Sequence, residues 1–188
     1  TPLTRLKLQL AMIAQKNISE KMSKDIDEME RMLNDYLQFA KTQTQEKTSE
    51  INLLNLINEI KKDQNSKNLI LLNMEPIFLK GRLFSLKRCL ENVILNGLSY
   101  GKKVYISLQK SSNRVTVNIE DDGPGIPEEQ YKNVFKPFFR LDKSRNMNQM
   151  GVGLGLAIVE DIINSHGGNI QLGKSKYNGL LVKISLPF

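Results

Sequence analysis

The sequence predicts an α+β protein: a helical hairpin forming half of a dimeric four-helix bundle, then an α/β sandwich with a loop closing over a pocket. Three observations carry this expectation. Residues 1–41 keep an apolar seam at helical spacing, whereas the remainder mixes alternating strand-like runs with amphipathic helical runs. Two glycine motifs, Asp121-Asp122-Gly123-Pro124-Gly125 and Gly151-Val152-Gly153-Leu154-Gly155-Leu156, sit at element junctions. Glycines so placed let the backbone turn sharply and approach a ligand closely.

In the hairpin, Leu3, Leu6, Leu10 and Ile13 recur at spacings of three and four. After a break near Asn17 to Ser19, Met22, Ile26, Met29, Leu33, Tyr36 and Ala40 continue as an a/d seam, with Ser19 as the helix cap. Two helices bury too little by themselves, so the seam calls for a second copy; packing against the rest of the same chain is the alternative. The polar run from Lys41 to Ser49 has no periodicity and reads as a linker. The boundaries are therefore 1–46 for the hairpin and 47–188 for the second domain.

Beyond the linker, 53–60 reads as an amphipathic helix, 69–72 and 77–79 as strands, and 83–100 as a long helix. Residues 104–108 and 115–119 alternate cleanly around Ser111-Ser112-Asn113, which predicts a hairpin. A long flap separates the glycine motifs. A helix over 154–165, a strand over 170–172, a turn at Asn178-Gly179 and a strand over 180–186 complete the chain. Helices and strands without strict alternation predict a sheet with its helices on one face.

The 188 residues, 40% hydrophobic and 25% charged, describe an ordinary folded chain. No apolar run approaches the ~20 residues that span a bilayer. Thr1-Pro2-Leu3 starts directly in a periodic segment, so no signal peptide is expected, and the chain reads as a piece of something longer. Cys89, the single cysteine, excludes an internal disulfide and falls in an apolar helical pattern, which predicts burial. The net charge of +7 comes from scattered lysines without stacking aromatics, so solvated surface is expected and no nucleic-acid partner.

Neither a Cys/His metal cluster nor a Gly-x-x-x-x-Gly-Lys-Ser/Thr loop occurs. The single histidine, His166, precedes Gly167-Gly168 at a helix end, where a cation suits the dipole and Gly167 can take the left-handed capping conformation. Asn92 and Asn96 share one face of the long helix, where their carbonyl oxygens suit a hard cation such as Mg²⁺, or simply make an ordinary polar helix face. Asp121 can accept a hydrogen bond from an exocyclic amine of a base, or serve as an ordinary turn aspartate. Lys132, Lys136, Arg140, Lys143 and Arg145 make the flap basic enough to attract a triphosphate. The second glycine motif opens a helix whose N-terminus suits a phosphate.

Taken in order, these segments resemble the boxes of the sensor histidine kinases of two-component systems. Arg88 to Asn96 resembles the N box, Asp121 to Gly125 the Asp-x-Gly-x-Gly box, Phe135 to Arg140 the F box, and Gly151 to Leu156 the Gly-x-Gly-Leu-Gly-Leu box. Thr1-Pro2-Leu3-Thr4-Arg5-Leu6 is similar to the residues following the phosphorylated histidine. The likeness spans the whole chain and is nearest to the EnvZ-like osmosensor subfamily.

The resemblance implies a Bergerat (GHKL) sandwich with a flexible ATP lid, binding ATP or ADP with Mg²⁺. It implies that Asn96 and Asn92 ligate the metal and that Asp121 binds the adenine amine, with Gly123, Gly125 and Ile126 shaping the purine pocket. Tyr100 and Phe138 match positions beside the nucleotide. Gly151, Gly153, Leu154, Gly155 and Leu156 match the hinge and the phosphate-facing turn. Arg140 matches a basic residue that reaches the γ-phosphate, and Thr1 a residue that orients water for dephosphorylating the partner.

The implied partners are a second copy through the hairpin and an OmpR-like response regulator. The chain would be the cytoplasmic portion of a bacterial inner-membrane protein, attached through segments upstream. Two departures stand out. Ser99 occupies a position commonly Lys or Arg, and the acceptor histidine would lie before Thr1, so the chain is not expected to autophosphorylate alone. A related ATPase that clamps by hydrolysis, as in gyrase, is the alternative, although its relatives lack this F box. A non-catalytic module with merely structural glycines is a third reading.

Overall fold

The order of elements from Glu46 onward is set by where strand-like and helix-like runs change over. The computed structural model describes residues 46–72, 75–141 and 153–188, together with Met22, Ser23, Ile26, Asp27 and Met29. The chain divides into two compact units, Thr1–Gln45 and Glu46–Phe188. In the first, the five described residues are helical; of the seam positions among them, Ile26 is buried and Met22 and Met29 are exposed. Its other seam positions lie outside the described residues.

The second unit runs β1 (Ser49–Asn52), α1 (Leu53–Asp63), β2 (Leu69–Leu71), β3 (Phe78–Gly81), α2 (Leu83–Tyr100), β4 (Val104–Lys110) and β5 (Arg114–Asp121). A 3-10 turn (Glu128–Gln130), α3 (Gly155–Ser165), β6 (Asn169–Lys174) and β7 (Leu180–Pro187) follow. β2, β4, β5, β7 and β6 make one sheet in that spatial order. β2 pairs parallel to β4 and the remaining pairs are antiparallel.

One face of this sheet is apolar and buried: Val104 and Ile106 from β4, Val115, Val117 and Ile119 from β5, Val182, Ile184 and Leu186 from β7. The helices cover it with Leu56, Ile57 and Ile60 of α1, Leu86, Leu90, Val93 and Ile94 of α2, and Val159, Ile162 and Ile163 of α3. The predicted two-layer sandwich is what forms, because the period-two strands and period-3.6 helices each supply one apolar face. Cys89 is fully buried on α2, and burial pushes its thiol far above the usual range.

Three local features depart from the sequence reading. The linker read as running to Ser49 is cut short, because Ser49 already starts β1, which pairs antiparallel with β3. The four residues of β1 are too few to show alternation. Glu46 is also engaged: its carboxylate accepts from Phe84 N–H (2.6 Å), Ser85 N–H (3.1 Å) and Ser85 Oγ–H (2.7 Å). It thereby satisfies orphan donors at the N-terminus of α2, whose own N-cap residue, Arg82, makes no side-chain cap.

The third concerns His166. It is not the expected cation at a helix end, because burial holds its imidazole below the ordinary histidine value. Its Nδ1 donates to Ile162 O at 2.7 Å, and Nε2 accepts from Arg82 N–H at 3.1 Å. That arrangement needs the neutral ring. Gly167, at φ +66°, does take the left-handed cap, and Gly168 N–H reaches back to Ile163 O at 2.9 Å.

Candidate functional site

The C-terminal end of β5 delivers Asp121 beneath α2. The residue is a strand end, paired with Val104, rather than an ordinary turn aspartate. Its Oδ1 accepts from Gly123 N–H (2.9 Å) and Leu180 N–H (3.1 Å). Among the described residues no protein donor reaches Oδ2, which leaves that oxygen for a ligand's N–H. Burial raises the carboxyl's pKa, opposed by the two N–H donors, and neighbouring Asp122 raises it further.

Glycines make this end of the site fit together. A Cβ on Gly97, within α2, would stand 2.7 Å from Val104 Cγ2 and 3.5 Å from Asp121 Cβ. A Cβ on Gly123 would stand 2.9 Å from Tyr100 O. A Cβ on Gly179 would collide with Asp121 Oδ1 and its carbonyl oxygen. Gly125 takes φ +71°, as its place in the motif requires. Asp122 Oδ1 accepts from Lys102 N–H (2.6 Å) and Lys103 N–H (2.8 Å), tying the end of α2 to the same turn. These bonds hold its carboxyl below the usual range.

At the other end, α3 begins against the asparagine pair. A Cβ on Gly155 would lie 3.3 Å from Asn92 Oδ1 and 3.6 Å from Asn96 Nδ2. Asn92 Nδ2 donates to Arg88 O at 2.9 Å, which turns its oxygen toward the helix start. The residue before the helix, Leu154, supplies no side-chain cap. The neutral Asn92 oxygen beside the N-terminus of α3 suits a divalent cation that arrives with phosphate oxygens, as Mg²⁺ does, while Asn96 presents its Nδ2 there. Ser99 Oγ–H donates back to Leu95 O at 2.7 Å.

The F box and the second glycine motif also meet. Phe138 N–H donates to Gly153 O at 2.9 Å, and both residues have positive φ, +65° and +79°. Phe138 and Tyr100 are more than half exposed. Arg140 and Ile126 are partly exposed, and Lys136 Nζ donates to Asn133 Oδ1 at 2.8 Å. Thr1, Lys143, Arg145 and Gly151 lie outside the described residues.

Sequence reasoning thus named residues at both ends but missed Gly97, Gly179 and Asp122. A glycine inside a helix costs about 0.5–1 kcal/mol against alanine, so Gly97 carried a readable signal of close approach. Gly179 carried none beyond that of a turn.

A family model described as histidine kinase-, DNA gyrase B-, and HSP90-like ATPase matches residues 81–188. The sensor histidine kinase GtrS of Pseudomonas aeruginosa is 33% identical over 191 residues, covering 100% of this chain and 39% of the relative. The sensor histidine kinase CpxA of Escherichia coli is 31% identical over 201 residues, covering 100% and 44%. Among solved structures, the histidine kinase domain of the E. coli osmosensor EnvZ superposes with a TM-score of 0.57 at 33% identity, covering 77% of this chain and 91% of that one. The chain spans less than half the length of these two curated relatives.

Proposed function

The chain belongs to the histidine kinase-, DNA gyrase B- and HSP90-like ATPase family, as an ATP-binding catalytic domain of the histidine-kinase kind, and from that premise we propose how it works. Mg²⁺-ATP binds between α2, the Asp121 turn and the start of α3. Asp121 Oδ2 accepts from the adenine amine. Gly123, Gly125 and Ile126 flank the base, and Tyr100 and Phe138 stand beside the nucleotide. The N–H groups opened by Gly153, Leu154, Gly155 and Leu156 receive phosphate, continuing from Gly151. Asn92 and Asn96 would hold Mg²⁺, which would neutralise phosphate charge.

Arg140 faces the γ-phosphate, and transfer to a histidine of a helical bundle proceeds by positioning and charge neutralisation. A dimer formed through the hairpin (1–46) then passes the group to an aspartate of an OmpR-like regulator, with Thr1 serving the reverse, phosphatase step. Residues 47–188 are the catalytic domain. The EnvZ-like subfamily is the finer assignment, supported by the identity with the EnvZ domain. A membrane attachment belongs to the complete sensor.

The observation that carries this reading is the approach of Gly155 to both asparagines while Asp121, beneath Gly97 of the same helix, keeps one oxygen without a donor among the described residues. The test mixes the chain with labelled Mg²⁺-ATP and a separate bundle domain bearing a histidine. Label on that histidine is expected. Steady hydrolysis without transfer would instead favour an ATPase that clamps.

A further inference from the structure

We propose that Glu120, Ser175, Tyr177 and Tyr105 form a positioning clamp that holds the β6–β7 turn against Asp121 and so sets the pocket's preference for an adenine base. The inference rests on the adenine reading above. Glu120 and Asp121 are consecutive on β5, so their side chains leave opposite faces of the sheet. Both nevertheless hold the same turn. Asp121 Oδ1 accepts from Leu180 N–H at 3.1 Å on the helix side. On the outer side, Glu120 Oε2 accepts from Ser175 Oγ–H at 3.2 Å and Lys176 N–H at 3.1 Å.

The turn is closed on itself as well. Ser175 Oγ accepts from Tyr177 N–H at 3.0 Å, and Ser175 N–H donates to Gly179 O at 2.9 Å. The Tyr177 ring stacks on Tyr105, with centroids 3.6 Å apart and planes 13° apart. Tyr105 is itself the β4 partner of Glu120. A ring stack and a carboxylate therefore grip the turn from β4 and β5 together.

A self-closing Asn-Gly turn on a surface hairpin does not need such support. Yet Glu120 is only 9% exposed and Ser175 only 3%, and burying a carboxylate is costly unless its bonds are made. What the support secures is Gly179, which has no spare room beside Asp121 Oδ1. A small displacement of the turn removes the Leu180 bond, frees the carboxylate to rotate and moves Oδ2 from the direction of the incoming amine. Hydrogen bonds weaken steeply with such misalignment. Glu120 and Tyr177 are thus positioning residues acting through Asp121.

The test measures affinities of the intact chain for Mg²⁺-ADP and Mg²⁺-IDP, whose 6-oxo group replaces the 6-amino group. The wild-type chain is expected to prefer ADP at least tenfold. In Glu120→Ala and Tyr177→Ala the ratio is expected to fall threefold or more, chiefly through weaker ADP binding, while Tyr177→Phe restores it. Should Glu120→Ala fail to fold, Tyr177→Ala and Tyr105→Ala carry the measurement. Lower melting temperatures with an unchanged ratio would overturn the clamp and leave the pocket standing. A wild-type chain without ADP preference would overturn the adenine reading and the clamp together.

Discussion

The two ends of the candidate site are built by different means. Around Asp121, contacts are tight: Gly97, Gly123 and Gly179 each leave no room for a Cβ, and the carboxylate is buried and held by two backbone donors. Around Gly153 the packing is backbone on backbone: Phe138, exposed and left-handed, donates to a glycine that is also left-handed and whose Cβ would stand 2.8 Å from Phe139 O. The first end is suited to reading one shape, the base. The second is suited to phosphates, because its left-handed turn leads into the N-terminus of α3. On the proposed reading, base selection falls to the first end and phosphate contact to the second.

The largest effect is expected from Gly179→Ala. Its methyl group must push the hairpin off Asp121, with overpacking costs of about 1–3 kcal/mol and loss of detectable ADP binding by calorimetry. Asp121→Asn keeps an acceptor for Gly123 and Leu180 but puts an amide NH₂, a donor, where Oδ2 would accept from the ligand's amine. ADP affinity is expected to fall by about 1.5–3 kcal/mol, with a nearly unchanged melting temperature. At the opposite end, Gly153→Ala forces a side chain into φ +79° and within 2.8 Å of Phe139 O. It is expected to weaken nucleotide binding by about 1–2 kcal/mol while leaving the ADP-over-IDP ratio intact. A changed ratio would erase the division of labour between the ends.

Smaller effects test the scaffold. His166 has a folded-state pKa below its unfolded value near 6.5, so the unfolded chain binds the proton first. Its contribution is complete above that value and is lost as pH falls below it toward the folded pKa. Chemical denaturation of wild type against His166→Ala across pH 5–8 is expected to show the difference shrinking at the acid end. Phe138→Gly relieves the left-handed backbone at the exposed rim and is expected to change stability by less than about 1 kcal/mol.

The sheet and helices were legible because each strand and helix buries one face, and α2 matches the expected 83–100 range. The asparagine pair and Asp121 were legible because polar side chains there break an otherwise apolar pattern. The strand β1 was not, being only four residues long and half exposed. Nor was the parallel β2–β4 pairing, which the α2 crossover decides. Close contacts between distant segments, Gly179 with Asp121 or Glu46 with Ser85, leave no local pattern. His166 misled because its burial and its bond to Arg82 arise only once α3 packs beside β3 and α2.

The most direct measurement is a titration of the ¹⁵N-labelled chain with Mg²⁺-ADP, following backbone amides. A single pocket spanning both ends predicts saturable shifts with one dissociation constant at Gly123 and Leu180 on the base side and at Gly153 and Gly155 on the phosphate side. Shifts confined to one end, or none in a folded protein, would contradict it.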